Sequence, residues 1–573
     1  MSAGAALGQS VRRLRRHFGH LVRRERPGLV LATLALLAEV ALRALEPWPL
    51  KFVFDTVLRA RAGTPAVGPL ALAAVALVAI VALRAGSAYA STMGFSRVGN
   101  RILTEVREQL YAHLTRLPVL FHARQRSGDL VVRMSRDVDL LKEVLVTAAL
   151  PLAGNFLVLA AMLGLMAWLE WRLTLLVLAL LPLFWLVARR LTPRIHDSAR
   201  GQRRREGRVA SRAAEAIGAI RVVQALALEG EFGRAFREEN RRSAQADLGG
   251  RRLSAALERS VDLLVAAATA LVLAAGAALV LEGALTPGTL LVFLAYLKSA
   301  FKPLQDIAKY SGRLAKAAAA GDRIVELLEE ETTVQDRPGA VAAPALRGAI
   351  SFEAVRFGYQ PGAPVLDGVS LALAPGDRVA LLGPSGSGKT TLASLVLRLF
   401  DPAAGQVRVD GHDLRDLTLA SLRRQVSVVL QDTLLFHASI RENIALGAAD
   451  APPEAIEAAA RLASAHEFIL ALPDGYDTVV GERGATLSAG QRQRIAIARA
   501  ALRRAPIVIL AEPTTGLDGA SARAVTEALE RLTRGVTTII ITHDPAVAAI
   551  AERTWRVLPG GQVREEGAHA LAG

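Results

Sequence analysis

The sequence contains no cysteine, although the chain is 573 residues long. Without thiols it can form no disulfide, no thiolate metal site and no cysteine-protease nucleophile, so any catalysis must use other groups. It also lacks the pattern of a secretory signal, because the basic opening stretch is long and no small-residue cleavage site follows it.

A chain of this length is too long for one compact core, so we expect two or more domains. The mean hydropathy is +0.32 and 52% of the residues are hydrophobic, which is high for a soluble protein. The apolar excess lies before about residue 306. The last third of the chain has the composition of an ordinary soluble α/β domain.

Basic residues outnumber acidic ones by 69 to 53, which gives a net charge of +16. Such an excess is typical of nucleic-acid-binding proteins and of membrane proteins, whose cytoplasmic loops are rich in arginine. The positions of the arginines, between apolar stretches, favour the membrane. Residues 1–27 combine arginines with spaced apolar side chains and predict an interfacial helix on anionic headgroups.

Six apolar stretches are long enough to cross a bilayer as helices, which takes roughly 20 residues each. They lie at 28–50, 67–92, 146–168, 172–192, 260–281 and 286–306. The connections near 60–66, 169–171 and 282–287 are short, whereas those at 93–145 and 193–259 are long and rich in arginine. By the positive-inside rule, the long connections and both termini are cytoplasmic.

The two long connections contain helix formers and few breakers, so we expect the membrane helices to continue into the cytoplasm as arms. Turn-backs are predicted at the arm tips, in residues 121–137 and 214–231. These tips could contact the domain that follows, or they could be solvated helical hairpins.

Charged residues inside the first two predicted spans need an explanation, because a charge is costly in lipid. They are Glu39, Arg43, Glu46, Lys51 and Arg84. They could pair with one another inside the helix bundle, or they could line a polar cavity for a substrate. Pro47 and Pro49 predict a break in the first helix, and Trp48 between them could be an interfacial anchor.

A glycine-rich loop lies between an apolar strand at 378–382 and a helix at 391–400. Its residues are Gly383, Pro384, Ser385, Gly386, Ser387, Gly388, Lys389, Thr390 and Thr391. The spacing is that of a P-loop, in which glycines let backbone N–H groups approach phosphates. Lys389 would supply a positive charge to the β- and γ-phosphates, and the Thr390 hydroxyl can coordinate Mg²⁺. This segment therefore predicts an ATP site.

A second motif, downstream of the P-loop, consists of Leu487, Ser488, Ala489, Gly490 and Gln491. It resembles the Leu-Ser-Gly-Gly-Gln signature of the ATP-binding cassette (ABC) family, and with six spans in front of it the whole chain resembles an exporter-type half-transporter. The resemblance implies a multi-domain fold. An all-α six-helix transmembrane domain at 28–330 would be followed by a linker at 331–345 and an α/β P-loop ATPase domain with a helical subdomain at 346–573.

Further residues match family positions outside the two motifs. Tyr359 matches the aromatic that stacks on adenine, and Gln431 matches the glutamine that meets both the Mg²⁺ sphere and the transmembrane arms. His543 matches the switch histidine at the γ-phosphate, and Asp518 matches the loop that crosses the dimer interface. The segment 481–484 resembles one that lies near the cytoplasmic arms of exporters.

The resemblance also implies a second half-transporter, because in this family the signature of one cassette caps the ATP on the P-loop of the other. Ser488 and Gly490 would therefore serve the partner's nucleotide. We expect a homodimer, with a heterodimer as the alternative. Closure of the dimer on two ATP molecules would turn the membrane helices from inward-open to outward-open.

The chain departs from the family at the strand that precedes the catalytic carboxylate. Glu512 matches that carboxylate, which would orient and polarise the attacking water, but Ala511 replaces the aspartate before it. A methyl group can hold neither Mg²⁺-bound water nor the P-loop hydroxyl. Hydrolysis could be slowed in this chain, this chain could be the degenerate half of a heterodimer, or another carboxylate could substitute, although none stands at a suitable offset.

These observations predict an ATP hydrolase that exports or flips a lipid, drug or other amphiphile across a bacterial-type plasma membrane. Membrane lipid and an amphiphilic substrate are the expected partners, and nucleic acid is not. A soluble ABC ATPase acting on nucleic acid or ribosomes is the rival suggested by the pI near 10.8, and the six apolar stretches oppose it. An exporter-like importer remains a further alternative. The absence of a peptidase domain before the first span disfavours a leader-cleaving exporter.

Overall fold

The computed structural model of the chain describes residues 3–57, 67–125, 127–144, 150–360, 362–481, 484 and 486–566. The chain divides into two compact units. The first comprises Met1–Leu114 and Gly128–Glu329, and the second comprises Thr115–Ser127 and Glu330–Gly573. The domain boundaries at 27, 330 and 345 stay predictions.

The described residues before 330 are almost entirely helical. Their helices are α1 (Ala3–Arg24), α2 (Arg26–Leu45), α3 (Trp48–Phe52), α4 (Val67–Leu114), α5 (Val119–Arg124), α6 (Ser127–Val132), α7 (Val138–Val144), α8 (Leu150–Leu169), α9 (Trp171–Leu178), α10 (Leu181–Gly218), α11 (Ile220–Ala225), α12 (Glu229–Leu281) and α13 (Pro287–Leu328). Two π-helical turns cover Val53–Val57 and Arg133–Asp137.

Four described segments are long and apolar enough to cross a membrane. They are Arg26–Asp55, Val67–Leu114, Leu152–Leu169 and Glu229–Leu281. They contain or overlap the first, second, third and fifth predicted stretches and confirm them as apolar helices, although residues 146–149 of the third stretch lie outside the described residues. The sixth stretch begins α13, where the apolar helical part is Pro287–Ala300. Large apolar side chains such as Leu31, Val75 and Leu263 are exposed on these helices, as expected of surfaces that face lipid.

The fourth predicted stretch, 172–192, is not one continuous helix. Helix α9 ends at Leu178, a turn follows, and α10 begins at Leu181. Pro182 is the second residue of α10 and has no N–H to donate to the carbonyl of Leu178, so the first helix closes with a tighter bond from Leu180 N to Val177 O at 3.0 Å.

The predicted break in the first membrane helix is present at Pro47. Helix α2 ends at Leu45, and α3 begins at Trp48. The indole Nε1 of Trp48 donates to the hydroxyl of buried Tyr296 at 2.9 Å, and its ring stacks on Trp168 with centroids 6.3 Å apart. These partners of Trp48 lie within the protein.

One pair of charged residues in the first two spans is joined directly. Arg84 on α4 forms an ion pair with Glu46 at the break after α2, and both side chains are about one third exposed. For these two residues the structure supports pairing within the bundle. A second polar contact joins Lys51 to Trp48, with Nζ 5.3 Å from the ring centroid.

The long helices form arms that fold back on themselves. Helix α10 ends at Gly218 and α12 begins at Glu229, so the chain reverses within the predicted 214–231 segment. The two helices run side by side in opposite directions, joined by Arg208 Nε to Glu239 Oε1 at 2.5 Å. Short helices α5 and α6 follow α4 and overlap the other predicted tip.

Helix α13 is attached near both ends within the first unit. At its start, Asp55 Oδ1 accepts from Gly288 N at 2.8 Å, and Asp55 Oδ2 accepts from Thr286 Oγ1 at 2.7 Å. Near its end, Arg323 Nε and Nη2 donate to the two oxygens of buried Asp137 at 2.8 and 2.6 Å.

The second unit has ten strands and eight helices among its described residues after 330. The strands are β1 (Ile350–Phe357), β2 (Leu366–Leu373), β3 (Arg378–Leu382), β4 (Ala404–Val409), β5 (His412–Asp413), β6 (Val426–Val429), β7 (Ile507–Ala511), β8 (Thr537–Ile541), β9 (Arg553–Val557) and β10 (Val563–Glu566). The helices are α14 (Lys389–Val396), α15 (Leu419–Arg424), α16 (Ile440–Ala445), α17 (Pro453–Leu462), α18 (His466–Leu470), α19 (Ala489–Arg503), α20 (Gly519–Thr533) and α21 (Pro545–Ala548).

Two sheets organise these elements. An antiparallel sheet has the order β2-β1-β4-β5, and a mostly parallel sheet has the order β10-β9-β3-β8-β7-β6. One apolar core lies between the two sheets around Phe352 and Trp555, and a second joins the parallel sheet to α16–α20 around Ile444 and Ile497. Because the central strands are parallel, their carboxyl ends share one edge, where ligands of such sheets bind.

Candidate functional site

The strand order brings four separate sequence motifs to one edge of the parallel sheet. The P-loop follows β3, His543 follows the adjacent β8, Glu512 follows β7, and Gln431 follows β6. These segments are far apart in the sequence but occupy successive strand ends. The candidate site is therefore a row of loops across the carboxyl edge of the sheet.

The P-loop needs glycine for steric reasons. Gly383 has φ +145°, and a Cβ there would lie 2.3 Å from the carbonyl oxygen of Val557. Gly388 has φ +109° and caps α14, and a Cβ there would lie 2.9 Å from Leu366 Cδ2. The loop therefore keeps its backbone uncovered at the amino terminus of α14, where the helix dipole favours an anion.

The side chain of Lys389 contacts the backbone of this loop. Its Nζ donates to the carbonyl oxygens of Gly383 and Pro384 at 2.7 and 2.9 Å, and the residue is 6% exposed. Burial lowers the pKa of Lys389 from its ordinary value, and the nearby Glu512 carboxylate opposes that shift. The ammonium group thus bridges the loop carbonyls next to the position that a phosphate would occupy.

Ser387 carries a polar group in this loop that a ligand could satisfy. Its hydroxyl is buried and has no hydrogen-bond partner among the described residues. A buried hydroxyl without a partner is costly, and phosphate oxygens would satisfy it. The predicted P-loop strand is confirmed, and the helix begins at Lys389, two residues earlier than the sequence suggested.

Glu512 occupies an unusual backbone conformation at the end of β7. Its φ is +44°, and its N–H donates to the carbonyl of Ile541 at 2.7 Å. One carboxylate oxygen accepts from Thr515 Oγ1 at 2.9 Å, and the other lies 3.6 Å from His543 Nε2. The carboxylate is therefore held between the loop after β7 and the loop after β8.

Ala511 is the last residue of β7 and pairs with Ile541 of β8. Its methyl group packs on the core between the two sheets. The oxygen donors predicted for Mg²⁺ are the hydroxyl of Thr390 and the amide of Gln431, both exposed at this edge. Oxygen ligands of this kind suit Mg²⁺, so these residues fit the ion, with Ala511 contributing nothing. The described residues hold no cluster of three His, Cys, Asp or Glu that could bind a metal.

Tyr359 lies beside the P-loop helix. Its hydroxyl is 3.0 Å from Thr391 Oγ1, and its ring meets Phe357 and Phe400 edge-on at centroid distances of 5.1 and 5.4 Å. These contacts fix the ring while leaving it partly exposed. A fixed, accessible aromatic ring can stack on a nucleobase.

The signature residues begin α19. Ser488 is the N-cap: its hydroxyl accepts from Gln491 N at 3.2 Å, while Gln491 Oε1 accepts from Ser488 N at 2.9 Å. A Cβ on Gly490 would lie 2.7 Å from Cβ of Ser521 on α20. Leu487 is buried and Ala489 is exposed. The amino terminus of α19 is thus a second place where backbone donors could meet an anion.

Asp518 has a local partner for its carboxylate. It caps α20 by accepting from Ser521 N at 2.9 Å and Ala520 N at 3.1 Å. The hydrogen bond from the Ser521 N–H is the main cause that lowers the pKa of Asp518. Its predicted position at a dimer interface stays a prediction. In the exporter-like 481–484 segment, residues 482 and 483 lie outside the described residues.

Sequence reasoning missed the residues that position the predicted ones. Thr515 holds Glu512, and Ser521 leaves room only for glycine at 490. The spacing of three residues between Glu512 and Thr515 was the one available signal for the first contact. The second contact depends on the packing of α19 against α20, which no local pattern indicates.

Family models match both parts of the chain. One described as the ABC transporter transmembrane region matches residues 29–304, and one described as ABC transporter matches residues 366–515. The ATP-dependent lipid A-core flippase of Syntrophus aciditrophicus (strain SB) is 33% identical over 494 residues, which are 86% of this chain and 82% of that protein. A Bacillus subtilis (strain 168) protein named for multidrug export, YgaD, is 32% identical over 526 residues, which are 91% and 90% of the two chains.

A solved structure described as a bacterial Atm1-family ABC exporter with ATP bound has the same fold as this chain. It superposes with a TM-score of 0.78 at 28% sequence identity, over 95% of each chain.

Proposed function

The chain belongs to the ABC transporter family, and from that premise we propose that it exports or flips a lipid, drug or other amphiphile as a dimer of half-transporters. It is a multi-pass integral membrane protein of the exporter type, and its cassette is an ATPase coupled to transport. One observation carries the proposal: a P-loop with a buried, unpartnered hydroxyl stands in the same chain as helices long enough to cross a membrane.

The division of the site supports the pairing of two chains. The sheet edge holds the P-loop, Glu512 and His543, but the signature lies at the start of α19, on a different helix. Ser488 and Gly490 would bind the nucleotide held by a second chain and complete that site. A homodimer is the simplest assembly.

The residues at the sheet edge would have different roles in ATP hydrolysis. Lys389 and the P-loop backbone would bind the phosphates, and Tyr359 would stack on adenine. Glu512 would accept the proton of the attacking water, with His543 beside it to contact the γ-phosphate. Thr390 and Gln431 would hold Mg²⁺, which when bound neutralises charge on the phosphates.

We propose that Ala511 weakens the hold on Mg²⁺ and slows hydrolysis without preventing ATP binding. Glu512 is retained, and so is the signature apart from Ala489, which argues against a degenerate half whose partner carries the only active site. An importer with the exporter fold is the remaining alternative, since the cassette does not encode direction.

The names of relatives guide the choice of substrate class. One is named for flipping lipid A-core and another for multidrug export. Both substrate classes are amphiphilic, and the exposed apolar helix surfaces open directly to lipid. We therefore expect the substrate to enter from the bilayer.

The proposal is tested by measuring ATPase activity of the full chain in nanodiscs against a panel of lipids and amphiphiles. Native mass spectrometry of the same sample gives the number of chains. Stimulation by an amphiphile from a two-chain particle is expected. A monomer whose ATPase responds to no amphiphile would contradict the proposal.

A further inference from the structure

A groove lies on the first unit between the start of α2 and the middle of α4, next to the end of α1. Its volume is about 680 Å³. It exists because the two helices touch through small residues: a Cβ on Gly28 would lie 2.8 Å from Val98 Cγ2, and a Cβ on Gly94 would lie 2.8 Å from Cβ of Ala32. The described side chains leave the space above these contacts open.

One half of the groove is apolar and lies within the membrane spans. Leu31 is 71% exposed, and Met93 and Tyr89 across from it are also exposed. These residues belong to the segments Arg26–Asp55 and Val67–Leu114, both long enough to cross the bilayer. Leu31 lies in the first predicted span, Tyr89 lies near the end of the second, and Met93 directly follows it, so this half of the groove adjoins the acyl-chain region.

The other half of the groove is basic. Arg24, Arg97 and Arg101 line it together with a single carboxylate, that of Glu25. Arg24 precedes the first predicted span, 28–50, and Arg97 and Arg101 follow the second predicted span, 67–92, so all three lie at the same boundary of the membrane. By the distribution of arginines, that boundary is the cytoplasmic one.

The existing ion pairs leave most of this positive charge available. Arg101 lies 3.4 Å from Glu25, and Arg24 lies 4.0 Å from Glu105. Arg24 and Arg101 are 78% and 72% exposed, and pairs between such exposed groups contribute little. Three guanidinium groups against one lining carboxylate complement a phosphate, which arginine binds through paired hydrogen bonds.

We propose that this groove binds an anionic phospholipid of the cytoplasmic leaflet. The phosphate lies among Arg24, Arg97 and Arg101, and an acyl chain lies along Leu31 and Met93 over the Gly28 and Gly94 floor. The site goes beyond the transport function, because it is formed by residues at the end of α1, the start of α2 and the middle of α4 and depends on no property of the transported molecule. The apolar half distinguishes it from a site for free phosphate.

Lipid titration of the purified full chain, followed by native mass spectrometry, tests the site. Phosphatidylglycerol should bind more tightly than zwitterionic phosphatidylcholine. Replacing Arg24, Arg97 and Arg101 together by glutamine should weaken phosphatidylglycerol binding by about fivefold for each arginine removed. A matched control replaces Arg203, Arg204 and Arg212 of α10, which are equally exposed but distant from the groove in sequence, and should bind within about twofold of the parent.

Two further variants separate the contribution of the apolar half of the groove from that of its positive charge. Ala90→Phe fills the apolar half and leaves the arginines intact, so it should also weaken phosphatidylglycerol binding. The triple lysine variant at positions 24, 97 and 101 keeps the charge and should retain binding, which removes misfolding as an explanation. Equal binding of the two lipids, equal loss in the groove and control variants, or displacement of the lipid by inorganic phosphate would each overturn the proposal.

Discussion

The Nε2 atom of His543 lies 3.6 Å from the Oε1 atom of Glu512, across the ends of the neighbouring parallel strands β8 and β7. The other oxygen of Glu512 is held by Thr515 at 2.9 Å. The carboxylate is therefore oriented from both sides. This arrangement makes Glu512 the residue whose replacement is most informative.

Replacing Glu512 by glutamine should stop turnover and leave ATP binding intact. The amide has the same shape but cannot accept a proton, so we expect the ATPase rate to fall by roughly 10²–10⁴-fold. The variant should accumulate as a closed dimer with ATP. Thr515→Val is the companion variant: it removes only the positioning hydrogen bond and should cause a smaller loss. Turnover of Glu512→Gln at the parental rate would exclude Glu512 as the base.

Restoring an acidic residue at position 511 should help at low Mg²⁺. Ala511→Asp places a carboxylate at the end of β7, the strand next to the one that Gln431 follows, and we expect a higher ATPase rate at limiting Mg²⁺ with little change at saturation. Ala511→Asn is the matched control, with the same size but no charge, and should give a weaker gain. An unchanged rate across the whole Mg²⁺ titration would disprove the proposed weakness of this site.

As the pH rises, ATP affinity should begin to fall at a lower pH than it would if Lys389 had the pKa of an ordinary lysine. Burial lowers the pKa of Lys389 from the ordinary value of 10.5, and only its protonated form attracts phosphate. The affinity for ATP therefore has its full value below the lowered pKa of Lys389 and is lost as the pH rises through that pKa. Binding of a fluorescent ATP analogue, measured between about pH 7 and pH 10, follows this loss.

Two variants test the assignment of that pH dependence to Lys389. Glu512 raises the pKa of Lys389, so Glu512→Gln should move the loss of affinity to lower pH. Lys389→Arg should flatten the curve, because a guanidinium stays charged throughout this range. The same curve in the parent and in Lys389→Arg would show that another group titrates.

The ring of Tyr359, rather than its hydroxyl, should determine ATP affinity. Tyr359→Ala removes the proposed stacking surface, worth roughly 1–3 kcal/mol, and should weaken binding about tenfold or more. Tyr359→Phe loses only the contact with Thr391 and should remain within about twofold of the parent. Comparable losses in both variants would assign the effect to the hydroxyl. Measuring the affinity for a nucleotide with a different base checks independently whether the Tyr359 ring stacks on the base.

The Glu46–Arg84 pair should stabilise the membrane domain. Glu46→Gln leaves Arg84 without its partner among apolar surroundings and should cost ~1–3 kcal/mol, since both side chains are about one third exposed. The double variant, with Arg84→Gln added, should recover part of that loss. Thermal unfolding in detergent measures both. Additive losses in the double variant would show that the two residues do not interact.

Features set by short-range spacing could be predicted from the sequence. The P-loop strand and its glycines, the break at Pro47 and four of the membrane spans are each determined by a few adjacent residues. The strand that precedes Glu512 was also predicted, because the apolar run Ile507–Ala511 leads directly to that residue.

Features that arise when distant segments meet could not be predicted. The pairing of Glu46 with Arg84 depends on how α2 and α4 pack, and the positive φ of Glu512 depends on its hydrogen bond to Ile541. The turn before α10 was missed for another reason. The hydropathy of 172–192 is continuous, and only the missing N–H of Pro182 marks the interruption.

Helix α13 has 42 residues, which corresponds to a rod of roughly 60 Å. Asp55 ties one end of this rod, and Asp137 ties the other through Arg323. A lengthwise slide by one helical turn, about 5.4 Å, would break both attachments at once. The two aspartates therefore fix the position of α13 along its own axis, and the first unit resists displacement of this helix in that direction at both of its ends.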